Sequence, residues 1–178
     1  MTATTWTIDP SHTHVHFSVR HLMISNVRGE FRKVAGKATF SAESPETSTV
    51  EAEIDIASIH TREDKRDEHL RSADFFDAAK FPTMTFKSTS VRKSGDGVTL
   101  VGDLTIRGTT KPVTVEVEGP TTEQADPWGN VRVGASATAK IKRSDFGIIW
   151  NAALEAGGVV VGDEIKIQLD VELIKDKV

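Results

Sequence analysis

The 178-residue sequence predicts an all-β fold: an eight-stranded antiparallel barrel with one short charged helix. Three observations lead there. Apolar and polar side chains alternate with a period of two, as in Val131, Val133, Ala135, Ala137, Ala139 and Ile141 against Arg132, Gly134, Ser136, Thr138, Lys140 and Lys142. The pattern recurs in Ile165, Ile167, Leu169, Val171 and Leu173, and in Val113, Val115 and Val117, so each strand has one dry and one wet face. Only one stretch carries helical charge spacing, and the apolar faces of the remaining segments must cover one another, which a sheet closed on itself achieves.

The first strand is predicted over Thr13–His21, with Val15, Phe17, Val19 and His21 on the inner face and His14, His16, Ser18 and Arg20 outside. The second, Val27–Ser41, begins on the phase Val27, Gly29, Phe31 and continues on Val34, Gly36, Ala38, Phe40, which predicts a bulge at Arg32-Lys33. The third, Thr49–Ser58, turns Val50, Ala52, Ile54 and Ile56 inward. A helix follows over Arg62–Ser72, with Thr61 as its N-cap and opposite charges at helical spacing, Glu63 with Arg66 and Asp67 with Arg71. Such a helix lies on the surface, either packed there or as a lid over one mouth with Leu70, Phe75 and Phe76 turned inward. Strands then follow at Thr83–Val91, Val98–Arg107, Val113–Glu118, Asn130–Lys142 and Glu164–Ile174, with turns at Ser94–Gly97, Arg107–Thr110 and Pro127–Asn130.

Composition narrows the function. The length suits one domain over residues 1–178, and a 38% hydrophobic fraction supplies one core without any run long enough for a membrane helix. The N-terminal Met1–Thr5 lacks the basic and apolar regions of a signal peptide, which points to the cytoplasm. There are no cysteines, so disulfide and thiolate chemistry are excluded. A net charge of −4 with scattered Lys and Arg argues against a nucleic-acid partner. Gly157-Gly158 and Gly162 flank Val159–Val161 rather than opening a helix, so they form no phosphate cradle, and no cofactor is expected. A homodimer is compatible with the sequence.

Specific blocks add a family. Ile8–Thr13 with Val27-Arg28-Gly29 and Phe31, Arg66–Asp77 with Phe81-Pro82, Gly102–Gly108 with Lys111-Pro112-Val113, Arg143–Gly147 and Val161–Ile165 together resemble the YceI-like proteins over nearly the whole chain. The resemblance implies a lipocalin-like barrel that binds lipid, a long isoprenoid (polyprenyl or quinone-like) or a fatty chain, with no catalytic group.

On that reading the ligand-binding residues are Phe17, Val19, His21, Arg28, Phe31, Phe40, Ile54, Phe75, Phe76, Met84, Phe86, Leu104, Ala135, Ala137, Phe146 and Trp150, with His21 and Arg28 near a head group. Small inward residues, Ala38, Ala52, Gly102, Ala135 and Ala137, leave room for a chain, whereas bulky neighbours filling the same space would give a solid core. His12, His14 and His16 offer a competing class, a metal-handling protein or a hydrolase. However, same-face strand residues lie about 6.5–7 Å apart, too far to converge readily on one ion. A catalytic set would have to join Asp9, Ser11 or Ser18 to a histidine.

Overall fold

The computed structural model describes residues 3–41, 43–155 and 157–178. Its elements are β1 (Thr4–Ile8), β2 (His14–His21), β3 (Ser25–Phe31), β4 (Val34–Phe40), β5 (Thr49–Asp55), β6 (Ile59–His60), α1 (Asp64–Arg71), β7 (Thr83–Ser94), β8 (Gly97–Ile106), β9 (Thr109–Glu118), β10 (Gln124–Ala125), β11 (Val131–Lys142) and β12 (Val161–Lys175). The sheet runs β11-β9-β8-β7-β5-β4-β1-β12. Then β12 returns to β11 from Arg132↔Ile174 to Lys142↔Glu164, closing eight antiparallel staves.

Three staves are bent into two strands each. β12 pairs with β1 at Leu173–Lys175 and with β2 between Val161 and Asp170. β4 and β3 repeat that division on the next stave, and β5 and β6 on the one after. The predicted phase change at Arg32-Lys33 is therefore a break between β3 and β4, with each part paired to a different strand. Its backbone groups are satisfied at the β5–β6 corner, where the Arg32 amide donates to the Ser58 carbonyl at 3.2 Å and the Lys33 amide to Ser58 Oγ at 3.0 Å.

The structure corrects the sequence reading in three places. β1 was not expected, because its five residues hold only Trp6 and Ile8 as large apolar groups. Ile56 lies in a 3₁₀ turn after β5, although it is buried as the alternation required. The cap of α1 is Glu63 rather than Thr61: its carboxylate accepts from the amides of Lys65 at 3.2 Å and Arg66 at 2.8 Å. Thr61 is instead buried, donating its amide and hydroxyl to Asp67, while Arg66 donates to the Thr61 carbonyl at 2.6 Å.

Among the described residues, no helix is long and apolar enough to cross a membrane. The core is the barrel interior. Trp6, fully buried, stacks on Phe40 with ring centroids 5.0 Å apart, and Met84, Leu100, Leu104, Ile106, Val113, Val115 and Val133 face the same space.

Candidate functional site

The interior is not filled. Inward side chains enclose a cavity of about 780 Å³, within the range of small-molecule pockets. The alternation creates its wall directly: Val113, Val115 and Val117 of β9, Val133 to Ile141 of β11, and Ile165 to Leu173 of β12 all line it. At one end the lining becomes polar, with half-buried Ser41 and Ser48 and exposed Lys93, Asp96 and the strap Thr121–Glu123, which makes this end the mouth.

The other end is sealed by two segments. Leu70, Phe75 and Phe76 descend from α1 and the turn after it; Phe146 and Ile148 come from the chain after β11. Phe76 meets Phe31 edge-on at 5.7 Å, and Trp150 packs on Phe75 at 5.3 Å and on His69 at 4.9 Å. Arg107, in the β8–β9 turn, ties the segments together by donating to the carbonyls of Phe75 at 3.1 Å and Gly147 at 3.3 Å.

Arg143 continues the inward phase of β11 and brings a buried cation to this sealed end. Its guanidinium donates to the carbonyls of Gly162, Ile148, Trp150 and Val161 at 2.8 to 3.2 Å. Burial lowers its pKa, an effect that Asp163 opposes. The carbonyls thus hold the charge while Arg143 fixes the 148–162 loop.

Thirteen of the sixteen ligand-site residues named from sequence line the cavity: Phe17, Val19, Phe31, Phe40, Ile54, Phe75, Phe76, Met84, Phe86, Leu104, Ala135, Ala137 and Phe146. The other three stand elsewhere. His21 ends β2 at the turn opposite Val161, Arg28 is exposed on the outer face opposite Ser18, and Trp150 backs Phe75 from outside the cavity. Among the small residues, Ala38, Ala52, Ala135 and Ala137 line the cavity, but Gly102 does not. Phe86 lies against Gly102, so that space is taken. Lining residues absent from the sequence set, such as Leu100, Val115 and Leu169, sit on the same alternation and could have been read from it. The strap Thr121–Glu123 has no periodicity to reveal it.

The histidines separate. His14 and His16 are exposed and stack on each other with centroids 5.8 Å apart. His12 joins a charged knot outside the barrel, where Asp9, His12 and Glu172 come close enough for a shared ion. That position is taken by Arg132, whose Nη1 donates to both Asp9 and Glu172 at 2.6 Å and whose Nε donates to Asp126 at 2.7 Å. A guanidinium fixed among the carboxylates repels a cation. Hydrogen bonds from Ser11, His12 and Arg132 hold the Asp9 carboxyl well below the usual carboxylate range. Burial opposes ionisation of Asp126, but donors from Arg132, Asn130 and Trp128 outweigh it, so this carboxyl also titrates far below its ordinary value. Ser11, His12 and Asp9 do not form a proton relay either. Ser11 Oγ and Asp9 Oδ2 both approach Nδ1 of His12, at 3.1 and 2.9 Å, whereas a relay needs the two ring nitrogens to serve different partners.

Comparison with known proteins agrees with this architecture. The YceI-like domain model matches residues 6–173. Protein YceI of Escherichia coli is 44% identical over 137 residues, covering 77% of this chain and 71% of that protein. BcnA of Burkholderia cenocepacia superimposes with a TM-score of 0.81 at 23% identity, covering 93% of this chain and 98% of that one. A polyisoprenoid binding domain from Saccharophagus degradans, implicated in plant cell wall breakdown, superimposes with a TM-score of 0.67 at 13% identity, covering 97% and 99%.

Proposed function

The chain belongs to the YceI-like domain family, and from that premise we propose that its barrel binds the tail of a long isoprenoid, polyprenyl or quinone-like, or of a fatty chain. The observation that carries this reading is the 780 Å³ apolar cavity, open at one polar mouth and sealed at the other end. An apolar tail entering at the mouth replaces empty space with dispersion contacts and is removed from water along its length, at about 0.8 kcal/mol per buried CH₂. The polar rim of Ser41, Ser48, Lys93, Asp96 and Thr121–Glu123 suits a head group that stays hydrated. The fold shared with the Saccharophagus degradans domain, described as polyisoprenoid binding, supports the ligand class.

The role is carriage, storage or sequestration. Among the described residues the wall has no hydrogen-bonded acid and base pair, and the Ser11, His12 and Asp9 cluster lies outside the barrel without relay geometry. The thirteen lining residues named above are the proposed tail contacts. Solvent extraction of the purified protein and mass spectrometry of the extract provide the test. The expected result is a polyprenyl, quinone or fatty-chain compound at about one per barrel, together with a rise in melting temperature when a polyprenol is added to stripped protein. An empty extract and no thermal shift with polyprenol or fatty acid would overturn the reading.

A further inference from the structure

One end and side of the barrel carry features that the cavity does not use. At the tip of the β2–β3 hairpin, Met23 is 54% and Ile24 77% exposed, and Ile149 on the neighbouring loop is 74% exposed. These loops are gathered at the sealed end: the Leu22 amide donates to the Val160 carbonyl at 2.9 Å, and Arg143 binds the carbonyls on both sides of Ile149. The turn is closed by the Ile24 amide donating to the His21 carbonyl at 3.1 Å, with φ of 51° at Leu22 and 59° at Met23. Turns of this hand are normally made by Asn and Gly, which enter the left-handed region with little strain. Here two bulky apolar residues occupy it, Leu22 half-buried and Met23 with its side chain in water.

The charges on the hairpin itself, up to Gly29, are of one sign. Residues 10–29 contain Arg20, Arg28 and four histidines but no carboxylate, in a chain with 26 acidic and 22 basic residues. The strand registers then bring together cations that are scattered in sequence. Lys140 pairs with Lys166, Lys166 with Ser18, and Ser18 with Arg28, so one outward row across β11, β12, β2 and β3 reads Lys, Lys, Ser, Arg. Like charges directly opposite each other repel. Arg20 lies one row nearer the tip and donates to the Met23 carbonyl at 2.7 Å. All four cations are exposed, and among the described residues none of them forms an ion pair. The adjoining carboxylates are Asp163, which accepts from the Ser144 amide at 2.9 Å and hydroxyl at 2.7 Å, Glu164 opposite Lys142, Glu30 bound by Arg32 at 3.0 Å, and Glu155 on the loop that carries Ile149.

We propose that this hairpin edge docks on an anionic phospholipid bilayer, with Met23, Ile24 and Ile149 entering the interface and Lys140, Lys166, Arg28 and Arg20 facing the head groups. Apolar side chains combined with basic residues form the two signals that hold a peripheral protein at such a surface, and each cation near it strengthens association roughly five-fold. Nucleic acid would use the cations but give no role to an exposed Met-Ile tip. The docking does not rest on the cargo reading, since a barrel that binds no lipid presents the same edge.

Cosedimentation of the purified protein with vesicles tests the proposal, comparing phosphatidylcholine alone with phosphatidylcholine containing phosphatidylglycerol. The expected result is association with the anionic vesicles only, reversed by salt. Both Lys140→Gln with Lys166→Gln and Met23→Ser with Ile24→Ser should weaken it at least ten-fold, with melting temperatures unchanged or raised. No association at low salt, or association that neither pair of substitutions weakens, would overturn it. If sedimentation velocity instead shows a dimer abolished by Met23→Ser with Ile24→Ser, the edge joins two copies and the bilayer proposal fails.

Discussion

The ring of Phe86 occupies the place that a side chain at Gly102 would take on the adjacent strand. A Cβ at residue 102 would collide with that ring and with the Lys87 carbonyl 2.7 Å away, so the glycine is required by the aromatic beside it. Gly102→Val should therefore push Phe86 toward the cavity and destabilise the protein by about 1–3 kcal/mol in urea unfolding, the range for overpacking. A neutral result would show that the ring moves away freely.

That pair also shows what could be read from sequence. Period-two alternation is local, so the eight staves apart from β1, their inward faces and most of the cavity wall were legible, and so was the change of phase at Arg32-Lys33, although it was read as a bulge. Whether a small inward residue leaves room is not local. Gly102 and Ala137 look alike in sequence, yet Phe86 fills the first site while the second lines open space. The knot of Asp9, Arg132 and Glu172 joins residues more than a hundred positions apart, and only barrel closure through β12 brings them together. His21 and Arg28 looked like head-group contacts because the sequence does not show which end of a barrel is plugged.

Acid should weaken the fold through that knot. Asp9 and Asp126 have folded-state pKa values well below their unfolded ones, so their contribution is fully present above about pH 4, near the unfolded value, and is lost as pH falls toward the folded values. Urea unfolding at pH 7, 5 and 3 should show little change between the first two and a clear drop at the third. Arg132→Gln should be less stable at pH 7 and should lose less on acidification. An equal pH dependence in both proteins would mean that Arg132 does not set these carboxyls.

The stacked pair His14 and His16 should be dispensable. Both rings are exposed on the outer face, opposite Asp170 and Gln168 of β12, and neither touches the knot around Arg132. Replacing both by Thr should change stability by less than about 0.5 kcal/mol and leave polyprenol binding intact. Loss of binding, or of a tightly held metal present before substitution, would return these residues to the functional site.

Ala137 offers the most direct test of the cavity itself. It faces inward on β11 between Val117 of β9 and Leu169 of β12, and all three line the open space. A phenyl ring built there has two possible fates. In a packed core Ala137→Phe would force its neighbours off their rotamers and cost roughly 1–3 kcal/mol. In a barrel that holds a flexible tail, the ring enters volume otherwise taken by ligand and gains contacts with the wall, so the stripped protein keeps or increases its stability while tail binding falls sharply. The expected outcome is the second, measured as polyprenol affinity and unfolding free energy on the same variant. Retained affinity with a marked loss of stability would place the tail elsewhere along the barrel.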